Sequence, residues 1–182
     1  MLKLIPVKTT DEAYAFIEDL MNSAFPEPER RDNKAQRETT DNNPLFTSNL
    51  ITDELEDGTT IHVGFVTTWS FGDFNYVEHF ATSPNVRNQG YGKKVMNTLL
   101  EQLPGLTVLE VEEPTDELTK RRVGFYERCG FHLCDLNYIQ PAYRPNGECI
   151  PLKIMFYGQD SLDNDFVKVK NTLYKEVYHT NE

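Results

Sequence analysis

The chain has 182 residues and carries 29 Asp and Glu against 18 Lys and Arg, a net charge of −11. That length suits one domain with a real core, and so acidic a surface repels phosphate backbones, which excludes nucleic acid as an expected partner. With 38% apolar and 12% aromatic residues the chain is too rich in core formers to be disordered, and no stretch reaches the ~20 apolar residues of a membrane helix.

Leu2 to Val7 is short and apolar and predicts a strand. Lys8-Thr9-Thr10-Asp11-Glu12 ends that run before the apolar part of a signal peptide would end, so a cytoplasmic protein is expected. The same segment predicts a capped helix start, with Ala13, Phe16, Ile17, Leu20 and Met21 following at helical spacing. Pro26 and Pro28 close that helix, and the polar stretch from Glu29 to Asn43 reads as a surface helix or loop.

Phe46 to Leu55, Thr60 to Phe71 and Phe74 to Thr82 are rich in β-branched and aromatic residues and are separated by Glu56-Asp57-Gly58 and Gly72-Asp73, the punctuation of a three-stranded antiparallel meander. Val95, Met96, Leu99, Leu100 and Leu103 then predict a helix ended by Pro104-Gly105. Leu106 to Val111 reads as a strand, Glu117 to Arg128 as a helix, Phe131 to Tyr138 and Ile150 to Tyr157 as strands. Ser161 is a good N-cap for a last helix with Phe166, Val169, Leu173 and Val177 on one face. That helix either packs on its own sheet or serves as a lid or homodimer contact. The order is that of a mixed α/β fold, one sheet with meander and crossover parts in a single domain over 1–182, with 161–182 appended.

Cys129, Cys134 and Cys149 are odd in number and lack disulfide or zinc spacing, and His62, His79, His132 and His179 are scattered, so no metal site is expected. The chemistry points elsewhere. A strand ending at Thr82, the turn Ser83-Pro84-Asn85-Val86, and Gly90 and Gly92 at a helix start make an anion cradle: glycines let the backbone approach, and free amides and the helix dipole face the anion. Arg87, Lys93 and Lys94 add positive charge. A P-loop would need a hydroxyl residue after Gly92-Lys93, where Lys94 stands, and a dinucleotide fingerprint would need a third glycine.

Arg87-Asn88-Gln89-Gly90-Tyr91-Gly92 resembles the Arg/Gln-x-x-Gly-x-Gly/Ala signature of the GNAT (general N-acetyltransferase) superfamily, and Phe125-Tyr126-Glu127-Arg128-Cys129-Gly130-Phe131 resembles its Phe-Tyr-x-x-x-Gly-Phe segment. The element order is similar over roughly Leu2 to Tyr157, with closing strands like those of bacterial members. The resemblance implies a central, twisted, mostly antiparallel mixed sheet flanked by helices, and acetyl-CoA as co-substrate. It implies that Phe80 and Thr82 meet the pantetheine arm, that the backbone of Gln89, Gly90, Tyr91, Gly92 and Lys93 holds the pyrophosphate with Arg87 and Asn88 beside it, and that Tyr126 protonates the departing sulfur. For the base, strand parity favours Glu78, on one face with Tyr76 and Phe80, over His79, unless a bulge exchanges the two.

Where many members carry Asn and Ala ahead of the Phe-Tyr, this chain has Thr119 and Arg122, which puts one pantetheine contact in doubt. Glu112-Glu113 either attracts a cationic substrate or is a solvated strand end. The expected activity is acetyl transfer to a primary amine, small or on a peptide, by direct attack; the alternative is a non-catalytic acyl-CoA-binding sensor or interaction module.

Overall fold

A computed structural model describes residues 1–180. Strand β1 (Leu2–Pro6) leads to helix α1 (Tyr14–Ala24), a 3-10 turn (Glu27–Glu29) and α2 (Asn33–Asn42). The meander follows as β2 (Phe46–Glu54), β3 (Thr60–Ser70) and β4 (Phe74–Thr82), then α3 (Tyr91–Gln102), β5 (Leu106–Val111) and α4 (Glu117–Glu127). Short strands β6 (His132–Leu133) and β7 (Tyr138–Gln140), β8 (Ile150–Tyr157) and α5 (Phe166–Thr172) complete the chain, α5 widening into a π turn over Leu173–Val177. The sheet runs β1-β2-β3-β4-β5-β8-β6 with β7 also on β8, and among the described residues only the β4/β5 pair is parallel. This is the mixed, mostly antiparallel α/β architecture the sequence predicts.

Several boundaries differ. The predicted strand from Phe131 to Tyr138 is two short ones, because Cys134 N bonds the Ile154 carbonyl and the polar Asp135-Leu136-Asn137 then leaves the sheet, with Leu136 exposed. The last helix starts at Phe166, not after Ser161, whose hydroxyl accepts from Asp163 N in a preceding turn; residues 181 and 182 of that expected helix lie outside the described residues. The polar stretch 29–43, for which the sequence allows helix or loop, holds α2, capped by Asp32 accepting from Ala35 N at 2.8 Å.

Successive strand residues point to opposite faces, and two core layers follow. Val66, Val77, Leu109 and Met155 meet Val95, Met96 and Leu99 of α3 and Val123 of α4 on one face. On the other, Trp69, Tyr76, Val108 and Ile154 lie under Phe166, Val169 and Leu173, while Phe65 and Ala81 lie under Tyr14, Ile17 and Met21 of α1.

Two irregularities shape the centre. Thr67 pairs with His79 but Thr68 with Val77, so Glu78 is an extra, bulged residue. The parity of β4 changes there: Tyr76 and His79 share a face, and Phe80 joins the opposite layer, so Glu78 does not share a face with Phe80 as simple alternation predicts. Parallel pairing of β4 with β5 also stops at Val77↔Leu109, after which the strands part.

The diverging end of β4 is held close to β3 by a glycine. A Cβ on Gly64 would lie 2.1 Å from the Ala81 carbonyl oxygen, a backbone atom that cannot easily give way. Gly64→Ala is therefore expected to cost about 1–3 kcal/mol, measured as a lower urea midpoint at unchanged slope.

Candidate active site

Where β4 and β5 part, a cavity of about 270 Å³ opens between Val77–Thr82 and Leu109–Glu112. From the layer of α3 and α4 it receives Tyr126 and Arg122, with Arg87 from the loop; from the opposite layer come Phe25, Glu29, Gln140 and Tyr143.

The loop after β4 has the form the sequence predicts. Asn88 (φ 64°) and Gly90 (φ 79°) take left-handed conformations that turn the chain into α3. The first helical bond is Lys94 N to Gly90 O at 3.4 Å, which leaves the amides of Tyr91, Gly92 and Lys93 without intrahelical partners. Arg87, Asn88, Gln89 and Gly90 are exposed around them, so the residues present fit a pyrophosphate. Two side-chain roles are structural. The Tyr91 ring is buried and its hydroxyl donates to Asp53 at 2.8 Å. At Gly92 a Cβ would stand 3.2 Å from the Phe125 ring, so the missing side chain lets the two sequence motifs pack together. Phe80 and Thr82 line the cavity on the free side of β4.

Two carboxylates approach the fork, and their environments oppose each other. The Glu78 side chain is 0% exposed, ion-paired with Arg31 Nη1 at 2.7 Å and accepting from Trp69 Nε1 at 3.0 Å and Tyr143 Oη at 2.9 Å. Burial by itself would raise its pKa, but Arg31 foremost, with His79 and Trp69, outweighs burial and holds the carboxyl below its ordinary range. Glu110 has no cationic partner among the described residues. Burial pushes it up to about 7, against the opposing hydrogen bonds of Tyr138, Tyr178 (2.6 Å) and Tyr76 (2.9 Å). Tyr76 and Tyr178 share Oε2 and Tyr138 alone serves Oε1, so Oε1 keeps a free lone pair.

Tyr126 is half-buried, lines the cavity, and its hydroxyl has no hydrogen-bond partner among the described residues; burial raises its pKa to about 12. His79 is buried, donates through Nε2 to the Glu29 carbonyl (2.9 Å), and has its pKa lowered by burial. The unusual positions in the second motif are occupied: Thr119 closes a capping box with Asp116, and Arg122 bridges to Glu112.

The Acetyltransferase (GNAT) family model matches residues 14–131, more than half of the chain. The chain belongs to the GNAT acetyltransferase family. No curated protein matches the sequence. Among solved structures, a Bacteroides thetaiotaomicron protein assigned to the GNAT acetyltransferases is similar at 39% identity and TM-score 0.90, over 97% of this chain and 98% of that one. More distant folds include a dodecameric spermidine N-acetyltransferase of Vibrio cholerae (17% identity, TM-score 0.61, covering 87% and 94%). The Escherichia coli ribosomal-protein-S18-alanine N-acetyltransferase stands at 20% identity and TM-score 0.56, covering 88% and 97%.

In this GNAT domain the residues that sequence reasoning missed are Arg31, Glu110, Gln140, Tyr143 and Tyr178. Only Glu110 left a signal, a carboxylate inside the apolar strand Leu106–Val111 on the parity of buried Val108. Arg31 is tied to Glu78, to Gln36 at 3.4 Å and to the Val177 carbonyl at 3.1 Å. Arg31→Met strands a buried carboxylate and is expected to cost about 3–5 kcal/mol in urea unfolding at pH 7. Because the folded pKa of Glu78 is depressed, the contribution of the pair is present above the ordinary carboxylate range and fades as pH falls below it, so the gap between wild type and variant narrows in acid.

Proposed function

We propose that the protein is an acetyl-CoA-dependent N-acetyltransferase, one domain over 1–182 working in the cytoplasm, that transfers the acetyl group directly to a primary amine in a ternary complex. The observation that carries this reading is the fork between β4 and β5, where Glu110 and Tyr126, its hydroxyl unpartnered among the described residues, line one cavity beside an anion cradle.

Acetyl-CoA supplies an activated acetyl thioester. The amides from Gln89 to Lys93, with Arg87 and Asn88, hold the pyrophosphate, and the unpaired side of β4 at Phe80 and Thr82 takes the pantetheine arm. Glu110 replaces Glu78 as the base. A base must be able to hold a proton near working pH, and Glu78, sealed and paired with Arg31, is held in the ionised form. Glu78 instead anchors the bulge. Glu110 takes a proton from the ammonium, the neutral nitrogen bonds the acetyl carbon as the carbon–sulfur bond breaks, and Tyr126 protonates the sulfur and is reprotonated by the nitrogen. Overall, ammonium and thioester give amide, free thiol and one proton, which leaves through Glu110.

Purified protein with acetyl-CoA and a panel of amines should release thiol; acetyl-CoA binding without release from any amine would favour the sensor reading. With Glu110 as base, kcat/KM rises with pH through an apparent pKa of about 7. Glu110→Gln and Tyr126→Phe should each lower kcat about 10²-fold or more. Tyr178→Phe removes a bond that stabilises the carboxylate, so the acidic limb moves to higher pH.

A further inference from the structure

We infer that the acceptor is a small α-amino amide, a primary amine whose neighbouring carbon bears an uncharged carbonyl, with its nitrogen at Glu110 and its carbonyl at the Gln140 carboxamide. The inference rests on the reading of the protein as an N-acetyltransferase and narrows its acceptor.

Gln140 lies on β7, on the same face as Tyr138, one of the hydroxyls bonded to Glu110. It is 4% exposed, lines the same cavity as Glu110, and its Nε2 is buried without a hydrogen-bond partner among the described residues. Native proteins pair nearly all buried amides, so an idle carboxamide on the lining that Glu110 shares is available to a ligand, reached by rotation of its terminal torsion. Its N–H groups suit an oxygen acceptor, which a plain alkylamine or a polyamine lacks.

Charge narrows the choice further. Glu29 and Glu110 line the cavity, while its cations are engaged: Arg122 bridges to Glu112, and Arg87, which lines the cavity from the loop, serves the pyrophosphate in this reading. Arg31 behind it is committed to Glu78. A free carboxylate on the acceptor would meet other carboxylates, so the carbonyl has to be uncharged. The cavity of about 270 Å³ must also admit the thioester, so the group entering beside Glu110 is small.

Acid–base matching agrees. An amine next to a carbonyl titrates at about 7.7–8.0 and an alkylammonium at about 10.4, so a base near 7 removes the proton of the first far more readily.

The test compares alaninamide, alanine and n-propylamine with the full chain and acetyl-CoA at pH 7.5, reading kcat/KM from thiol release and checking each variant's fold by its melting curve. Alaninamide is expected to lead both others at least about tenfold. Gln140→Leu, and Gln140→Met, which keeps the length but loses the donor, should raise KM for alaninamide and shrink its lead over n-propylamine. Equal turnover of n-propylamine or alanine, or a lead unmoved by both variants, overturns the inference while leaving acetyl transfer standing. No thiol release with any amine, these three or the wider panel, overturns both.

Discussion

The centre of this molecule hangs on an ion pair that water does not reach. Arg31 is 5% exposed and the Glu78 side chain 0%, a combination that costs several kcal/mol of desolvation per ion unless every polar atom is satisfied. It is satisfied from four distant parts of the chain: Trp69 on β3, Tyr143 before β8, Gln36 on α2 and the Val177 carbonyl at the C-terminus. The guanidinium also stands 5.4 Å over the Trp69 ring and 5.0 Å over Tyr143. By drawing the bulged side chain away from the strand gap, the pair leaves Glu78 open to the cavity only through its main chain, since the residue as a whole is half-buried.

From that anchor the electrostatics of the fork follow. Two carboxylates on one face of the sheet differ in kind because one meets a guanidinium and the other only hydroxyls. A full positive charge fixes ionisation, whereas three neutral donors only offset part of the burial penalty and leave the group titratable. The same fork thereby holds one carboxylate kept in its ionised form and one that titrates near neutrality. The segment beyond β8 takes part in both, through the Val177 carbonyl at Arg31 and the Tyr178 hydroxyl at Glu110. Its packing on the sheet, one of the two uses the sequence allows, is what brings these groups in.

The opposite face is organised by close packing. A Cβ on Gly92 would stand 3.2 Å from the Phe125 ring, so the absence of a side chain there lets the first turn of α3 sit close against the helix that carries Tyr126. The spacing between the anion cradle and the tyrosine hydroxyl is therefore fixed by a contact between the two motifs.

What the amino-acid sequence determined alone is local. Alternation and helical spacing specify the elements, Gly90 and its neighbours specify a turn with unpaired amides, and the Phe125-Tyr126 segment, joined to that turn, specifies the family. These depend on residues a few positions apart, where backbone sterics and periodicity act directly. The tertiary structure decided the bulge at Glu78, which inverts strand parity and cannot be read from alternation. It also decided the pairing of Arg31 with Glu78 across 47 residues and the gathering of Tyr76, Tyr138 and Tyr178 around Glu110. Whether a carboxylate is a sealed anion or titrates near neutrality depends on burial and on partners brought from elsewhere in the chain, and neither exists before the sheet and its covering helices close.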